Sequence, residues 1–104
     1  MSGDREARED WARSFERMGF TAIRCAGPSV SCALLCGAEH CPLHESADLA
    51  VYDERYVSAE LAARLQAAPP PIPIGLATDR ILPDGTHEPR VERLLPGAPR
   101  RLVR

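Results

Sequence analysis

The chain has 104 residues, 27 % of them charged, and a formal net charge of −2. That length sets the expectation of one domain with a modest core and leaves no room for separate catalytic and regulatory units. All thirteen basic residues are arginine, which rules out lysine-based catalysis, and no apolar run approaches the ~20 residues of a membrane span. The opening residues, Met1 to Glu6, are charged and no apolar stretch of seven or more follows them, so the chain reads as cytoplasmic and its thiols as reduced.

In chain order, Ala7, Trp11, Phe15 and Met18 recur at gaps of four, four and three, the period of one buried helical face. Asp4 suits the cap at its start and Gly19 the stop at its end. Glu9 stands four residues before Arg13, the favourable order for an ion pair on the outer face. The run Phe20-Thr21-Ala22-Ile23-Arg24-Cys25 begins with apolar–polar alternation after a helix-ending glycine and reads as a first strand. Residues 25–46 contain Gly27-Pro28, Gly37 and Pro42 and read as a cysteine-rich loop. Asp48 to Asp53 is a short apolar run bounded by acids, as in a buried parallel strand.

Ser58 caps an expected helix over Ala59 to Ala68, with Leu61, Ala62 and Leu65 inward and Pro69-Pro70-Pro71 stopping it. Ile72 to Thr78 is a further strand, with Pro73 at its start because proline cannot donate to a ladder. Pro83-Asp84-Gly85 signals a hairpin turn before a short element around Val91, Leu94 and Leu95. The expected architecture is a small α/β fold, a mainly parallel sheet with flanking helices and the cysteine-rich loop between the first two strands. Residues 1–95 form the domain and 96–104 a basic tail. Its arginines are diluted by proline and leucine without interleaved aromatics, a pattern that favours a protein partner over nucleic acid.

Met18 to Ile23, Asp48 to Asp53 and Ile72 to Thr78 together resemble the first-helix to second-strand junction and the third and fourth strands of response-regulator receiver domains. The resemblance implies a flavodoxin-like sheet, with Asp53 at the phosphoacceptor position and Thr78 at the hydroxyl position ending the fourth strand. The chain departs from that family in three ways: no first strand, no acidic pair for magnesium, no lysine. Without metal and cation a phosphorylated aspartate lacks its electrostatic partners, so Asp53 reads as an inactive strand-end or loop-capping acid. The absent first strand would lie at the sheet's centre, where direct pairing of its two neighbours, a folded-back C-terminal segment or a second subunit would have to replace it.

Cys25, Cys32, Cys36 and Cys41 fall within seventeen positions, with His40 and His44 beside the last, and the remainder of the chain has no cysteine. Four thiolates would complete a tetrahedral zinc site, with His40 or His44 as alternative ligands. The gaps contain no Cys-x-x-Cys knuckle, and the same thiolates would also serve an iron–sulfur cluster or remain free, redox-active or disulfide-paired. A thiol oxidoreductase would be expected to carry Cys-x-x-Cys, and no phosphate-binding glycine motif is present. The expectation is therefore a non-catalytic, metal-binding regulatory or protein-interaction module resembling a degenerate receiver, with zinc as the metal. The alternative is an iron–sulfur redox or gas sensor, or a small electron carrier, on the same cysteines.

Overall fold

The structure, a computed structural model, describes residues 1–27, 32, 34–37 and 41–97. Its elements are α1 (Arg5–Arg17), the single-turn α2 (Pro42–Glu45), β1 (Ala50–Asp53), a 3₁₀ turn (Glu54–Tyr56), α3 (Ala59–Ala67), β2 (Ile74–Ile81) and β3 (His87–Leu95). The sheet runs β1-β2-β3. β1 and β2 are parallel, joined through α3 as parallel neighbours must be joined by a crossover, and β2 and β3 form an antiparallel hairpin.

Both long helices begin where a side chain supplies the first-turn acceptor. Asp4 accepts from the backbone N–H groups of Glu6 and Ala7 at 3.0 and 3.2 Å, and Ser58 Oγ accepts from Leu61 N–H at 3.1 Å. Helix α1 gives way to Gly19, whose φ of 95° is the left-handed geometry that lets the chain leave a helix. Met18 falls past the last turn and is 60 % exposed, so the inward face stops at Phe15. Glu9 pairs with Arg24 at 3.0 Å across the loop after the helix.

The sheet has a helix on each face, and the two-residue period of the strands decides what meets which helix. Tyr52, Ile74 and Leu76 pack with Leu34 and with Leu61 and Leu65 of α3. Val51 and Ala77 point the other way, onto Ala7, Trp11 and Phe15 of α1. The close approach of the chain after β3 to this core needs glycine: a Cβ on Gly97 would lie 2.6 Å from the Ile72 backbone.

Three expectations are corrected. Phe20 to Cys25 is not a strand of the sheet, so the cysteines precede the first strand instead of separating the first two. The sheet is mixed, with one parallel and one antiparallel pair. The hairpin turns at Gly85, φ 85°, with Asp84 accepting from Thr86 N–H at 2.9 Å, and β3 extends over nine residues where the sequence suggests a short element. Of the expected tail, residues 98–104 lie outside the described part.

Candidate functional site

The ends of the parallel strands carry two polar constellations, one on each face of the sheet. On the α3 face, Tyr52 turns inward among leucines and its hydroxyl must find a partner there. Helix α2 supplies it: His44, 7 % exposed, places Nε2 2.8 Å from the Tyr52 hydroxyl. Burial, and secondarily the positive charge of the N-terminal amine, lowers the basicity of His44. Burial first, then the thiols of Cys41, Cys25 and Cys32, push the Tyr52 phenol well above its ordinary range. The two rings therefore form a neutral pair, in which the phenol donates when the imidazole proton sits on Nδ1.

The cysteines distribute around this pair unequally. Cys32 and Cys41 are half-buried and pack on the leucine core that holds Tyr52. Cys25 is also half-buried and lines, with Cys41 and His44, a cleft of about 460 Å³ beside β1. Cys36 is exposed, at the end of a turn in which its N–H donates to the Cys32 carbonyl at 3.0 Å. His40 lies outside the described residues. All four cysteines are free thiols. Their chemistry, with the imidazole of His44, is that of a zinc or iron–sulfur donor set. Among the described residues, however, no three Cys, His, Asp or Glu side chains gather into a group that would hold a metal ion.

On the α1 face, Asp53 and Asp79 share a side of the sheet. Asp53 is fully buried; it accepts from Ser2 Oγ at 2.9 Å, from Arg55 Nε and backbone N–H at 3.1 Å, and from Arg55 Nη2 at 2.7 Å. Burial alone would raise its pKa, but these hydrogen bonds outweigh burial and hold it below the ordinary aspartate value. Arg55 also approaches Asp79 at 3.7 Å and Asp4 at 3.9 Å. Asp79 accepts from Trp11 Nε1 at 2.8 Å and forms a short hydrogen bond with His87 Nδ1, which raises the pKa of that histidine. The N–H of His87 donates to Asp10 at 2.9 Å.

The phosphoacceptor-like Asp53 thus ends β1, caps the following 3₁₀ turn and has both oxygens engaged. Thr78 lies mid-strand and its hydroxyl meets Glu92 at 3.2 Å. Sequence reasoning did not find Arg55, Asp79, His87 or the polar role of Trp11. No spacing in the sequence signalled this: Asp53 and Asp79 share the face opposite Tyr52 because the register pairs Asp53 with Ala77, two residues before Asp79. Compared with known proteins, no family model, no curated protein and no solved structure matches this chain.

Proposed function

We propose that the chain is a non-catalytic, receiver-like regulatory or protein-interaction module whose cysteine segment takes a soft metal ion, zinc before an iron–sulfur cluster. One observation carries this reading: Cys25, Cys32 and Cys41, separated by up to sixteen positions, all lie near the same buried His44–Tyr52 pair. Cys25, Cys32, Cys41 and His44 would hold the ion, with Cys36 and His40 as alternatives, and loading requires the described side chains to converge, since among the described residues they form no metal-holding group as they stand. The ion would contribute folding free energy in the manner of a structural site, since such a site does not exist in the unfolded chain.

The non-catalytic part is supported by the opposite face. Asp53, Asp79, Arg55, His87 and Trp11 are engaged with one another, which leaves the buried carboxylates bound to donors instead of offered to a substrate. The Arg55 guanidinium occupies the space between three aspartates where a magnesium-dependent site would need a cation, so phosphotransfer is not part of the proposal.

Elemental analysis of protein purified without chelators tests the metal reading. About one zinc per chain, with thiols that react with an alkylating reagent only after chelation, is the expected result. A visible absorption band with iron and sulfide would replace zinc by the cluster. Metal-free protein with four immediately reactive thiols and unchanged thermal stability on zinc addition would end it.

A further inference from the structure

The four thiols are not equivalent, and the sharpest difference falls within one turn. Cys36 N–H donates to the Cys32 carbonyl at 3.0 Å, and Gly37 follows with a φ of 98°, which ends the turn. Leu34 is 7 % exposed and belongs to the core cluster that contains Tyr52, so the turn is anchored to the fold between its two cysteines. Cys32 packs half-buried on that cluster, whereas Cys36 is exposed. One turn therefore carries an inner thiol near Tyr52 and an outer thiol open to solutes.

A main-chain bond between residues four apart sets their Cα atoms ~6 Å from each other, as in one turn of α-helix. Disulfides form across Cα separations of ~4.4–6.8 Å. At this spacing the Cβ atoms start ~5–6 Å apart and must close to ~4 Å, an adjustment of about 1–2 Å. The end of the turn has space for it, because a Cβ built on Gly37 would meet no atom within 4 Å. Among the described residues, Cys32 and Cys36 are the one cysteine pair joined by a main-chain hydrogen bond. The Cys25 carbonyl accepts instead from Ser2 and the Cys41 carbonyl from His44, each at 3.0 Å, which ties those two residues to other parts of the fold.

We propose that Cys36 is the peroxide-reactive thiol of a redox switch, which captures Cys32 in a disulfide and so withdraws it from the ion. Its consequence for the ion rests on the metal reading above; the thiol chemistry rests on the turn alone. Hydrogen peroxide reaches Cys36 because that side chain is exposed. The Cys36 sulfur takes one peroxide oxygen as the O–O bond breaks, giving a sulfenic acid and one water. The Cys32 sulfur then attacks the Cys36 sulfur, and the S–S bond forms as the S–O bond breaks. The oxygen leaves as hydroxide and becomes a second water with a proton from the Cys32 thiol or, where Cys32 is a metal thiolate, from solvent. The two sulfurs together lose two electrons, which the peroxide gains. A Cys32 sulfur paired in this way has no thiolate to offer, so the site loses one of its donors. A disulfide exposed at one end belongs to the reducible, regulatory class, and a dithiol reductant restores the site.

The test treats the full chain, incubated with zinc and freed of reductant, with hydrogen peroxide. A chromogenic chelator follows released zinc. Thiols are alkylated with one reagent before reduction and a second after it, and peptide fragmentation in the mass spectrometer assigns each label. Expected are the second label at Cys32 and Cys36 alone, zinc release in step with it, and reversal of both by dithiothreitol. Cys36→Ser, a change at an exposed position, should keep its circular dichroism spectrum and release zinc at least tenfold more slowly. In Cys32→Ser, dimedone should trap a sulfenic acid on Cys36, because the attacking sulfur is gone. A disulfide that involves Cys25 or Cys41, or Cys36→Ser releasing zinc as fast as wild type, overturns the proposal. The two readings fail separately. A chain that takes up no zinc yet forms the bond between Cys32 and Cys36 ends the metal reading and upholds the thiol chemistry, whereas a zinc-loaded chain that forms no such bond keeps the metal and rejects the switch.

Discussion

Two histidines have opposite environments, and stability should follow pH in opposite senses through them. His44 is buried, and desolvation ahead of the N-terminal charge keeps its folded pKa below 6.5. Its unfolded form binds the proton more readily, so its contribution is present above the unfolded value and is lost as pH falls below it. His87 gains a proton through its hydrogen bond to Asp79 and has a raised folded pKa, so its contribution is present below 6.5 and is lost as pH rises through the folded value. Urea midpoints measured between pH 5 and 9 should show His44→Gln flattening the acid limb and His87→Gln flattening the alkaline limb. A second residue-scale consequence concerns Asp53. Replacing it by alanine leaves Ser2 and Arg55 without their acceptor, and removal of one partner of a buried pair costs ~3–5 kcal/mol. Because the Arg55 side chain is 46 % exposed and can be rehydrated, a loss near the lower end, about 3 kcal/mol, is expected from the urea midpoint. Wild type should itself weaken as acid titrates Asp53 below the ordinary aspartate pKa, and the alanine variant should not share that part of the acid slope.

At the scale of elements, those whose signals are local were legible. Helix α1 was readable from its apolar spacing and the Asp4 cap, α3 from Ser58 and the proline stop, and the parallel pairing of β1 with β2 from two apolar runs flanking a helix. Phe20 to Cys25 failed because alternation states what a residue prefers, whereas a strand also needs a neighbour. Here, among the described residues, the main-chain bond joining it to β1's neighbourhood comes from Ser2 N–H to Cys25. β3 was under-read because it is an edge strand, exposed from Arg90 onward and interrupted by Pro89, a residue tolerated where one edge is unpaired. Of the candidate site, the thiols were visible as letters. Their separation into three near Tyr52 and an exposed Cys36 depended on α2 and Leu34 packing against the core, which no spacing reveals. The element-scale prediction concerns the chain leaving β3. Gly97→Ala would place a methyl group 2.6 Å from the Ile72 backbone, a contact backbone cannot yield without displacing one of the segments. Overpacking of this kind costs ~1–3 kcal/mol, and the thermal midpoint should fall accordingly while the exposed Gly85→Ala, strained only by its φ of 85°, should cost less, about 1 kcal/mol.

Across the whole molecule, the two faces of one short sheet divide the chemistry. The α1 face ties the sheet to the helix through the Trp11–Asp79 hydrogen bond, the hydrogen bond from His87 N–H to Asp10 and the His87–Glu6 contact, all internal to the described fold. The α3 face places neutral groups and thiols around Tyr52, where a ligand would couple to the main core. A domain of this length has only about 5–15 kcal/mol of stability in total. A ligand that binds the folded chain at one hundred times its dissociation constant adds ~2.7 kcal/mol, a large share of that sum. If zinc is the ligand, its removal should lower the thermal midpoint by several degrees or more, and the shift should depend on free zinc concentration. The thiols should contribute unequally. Cys25→Ser, Cys32→Ser and Cys41→Ser should each abolish the zinc-dependent shift, because each removes a sulfur near the His44–Tyr52 pair. Cys36→Ser should retain most of it, because Cys36 faces solvent on the far side of its turn. Equal losses from all four serine variants in a zinc-loaded preparation would mean that the segment folds around the metal along a path different from the one set by Tyr52.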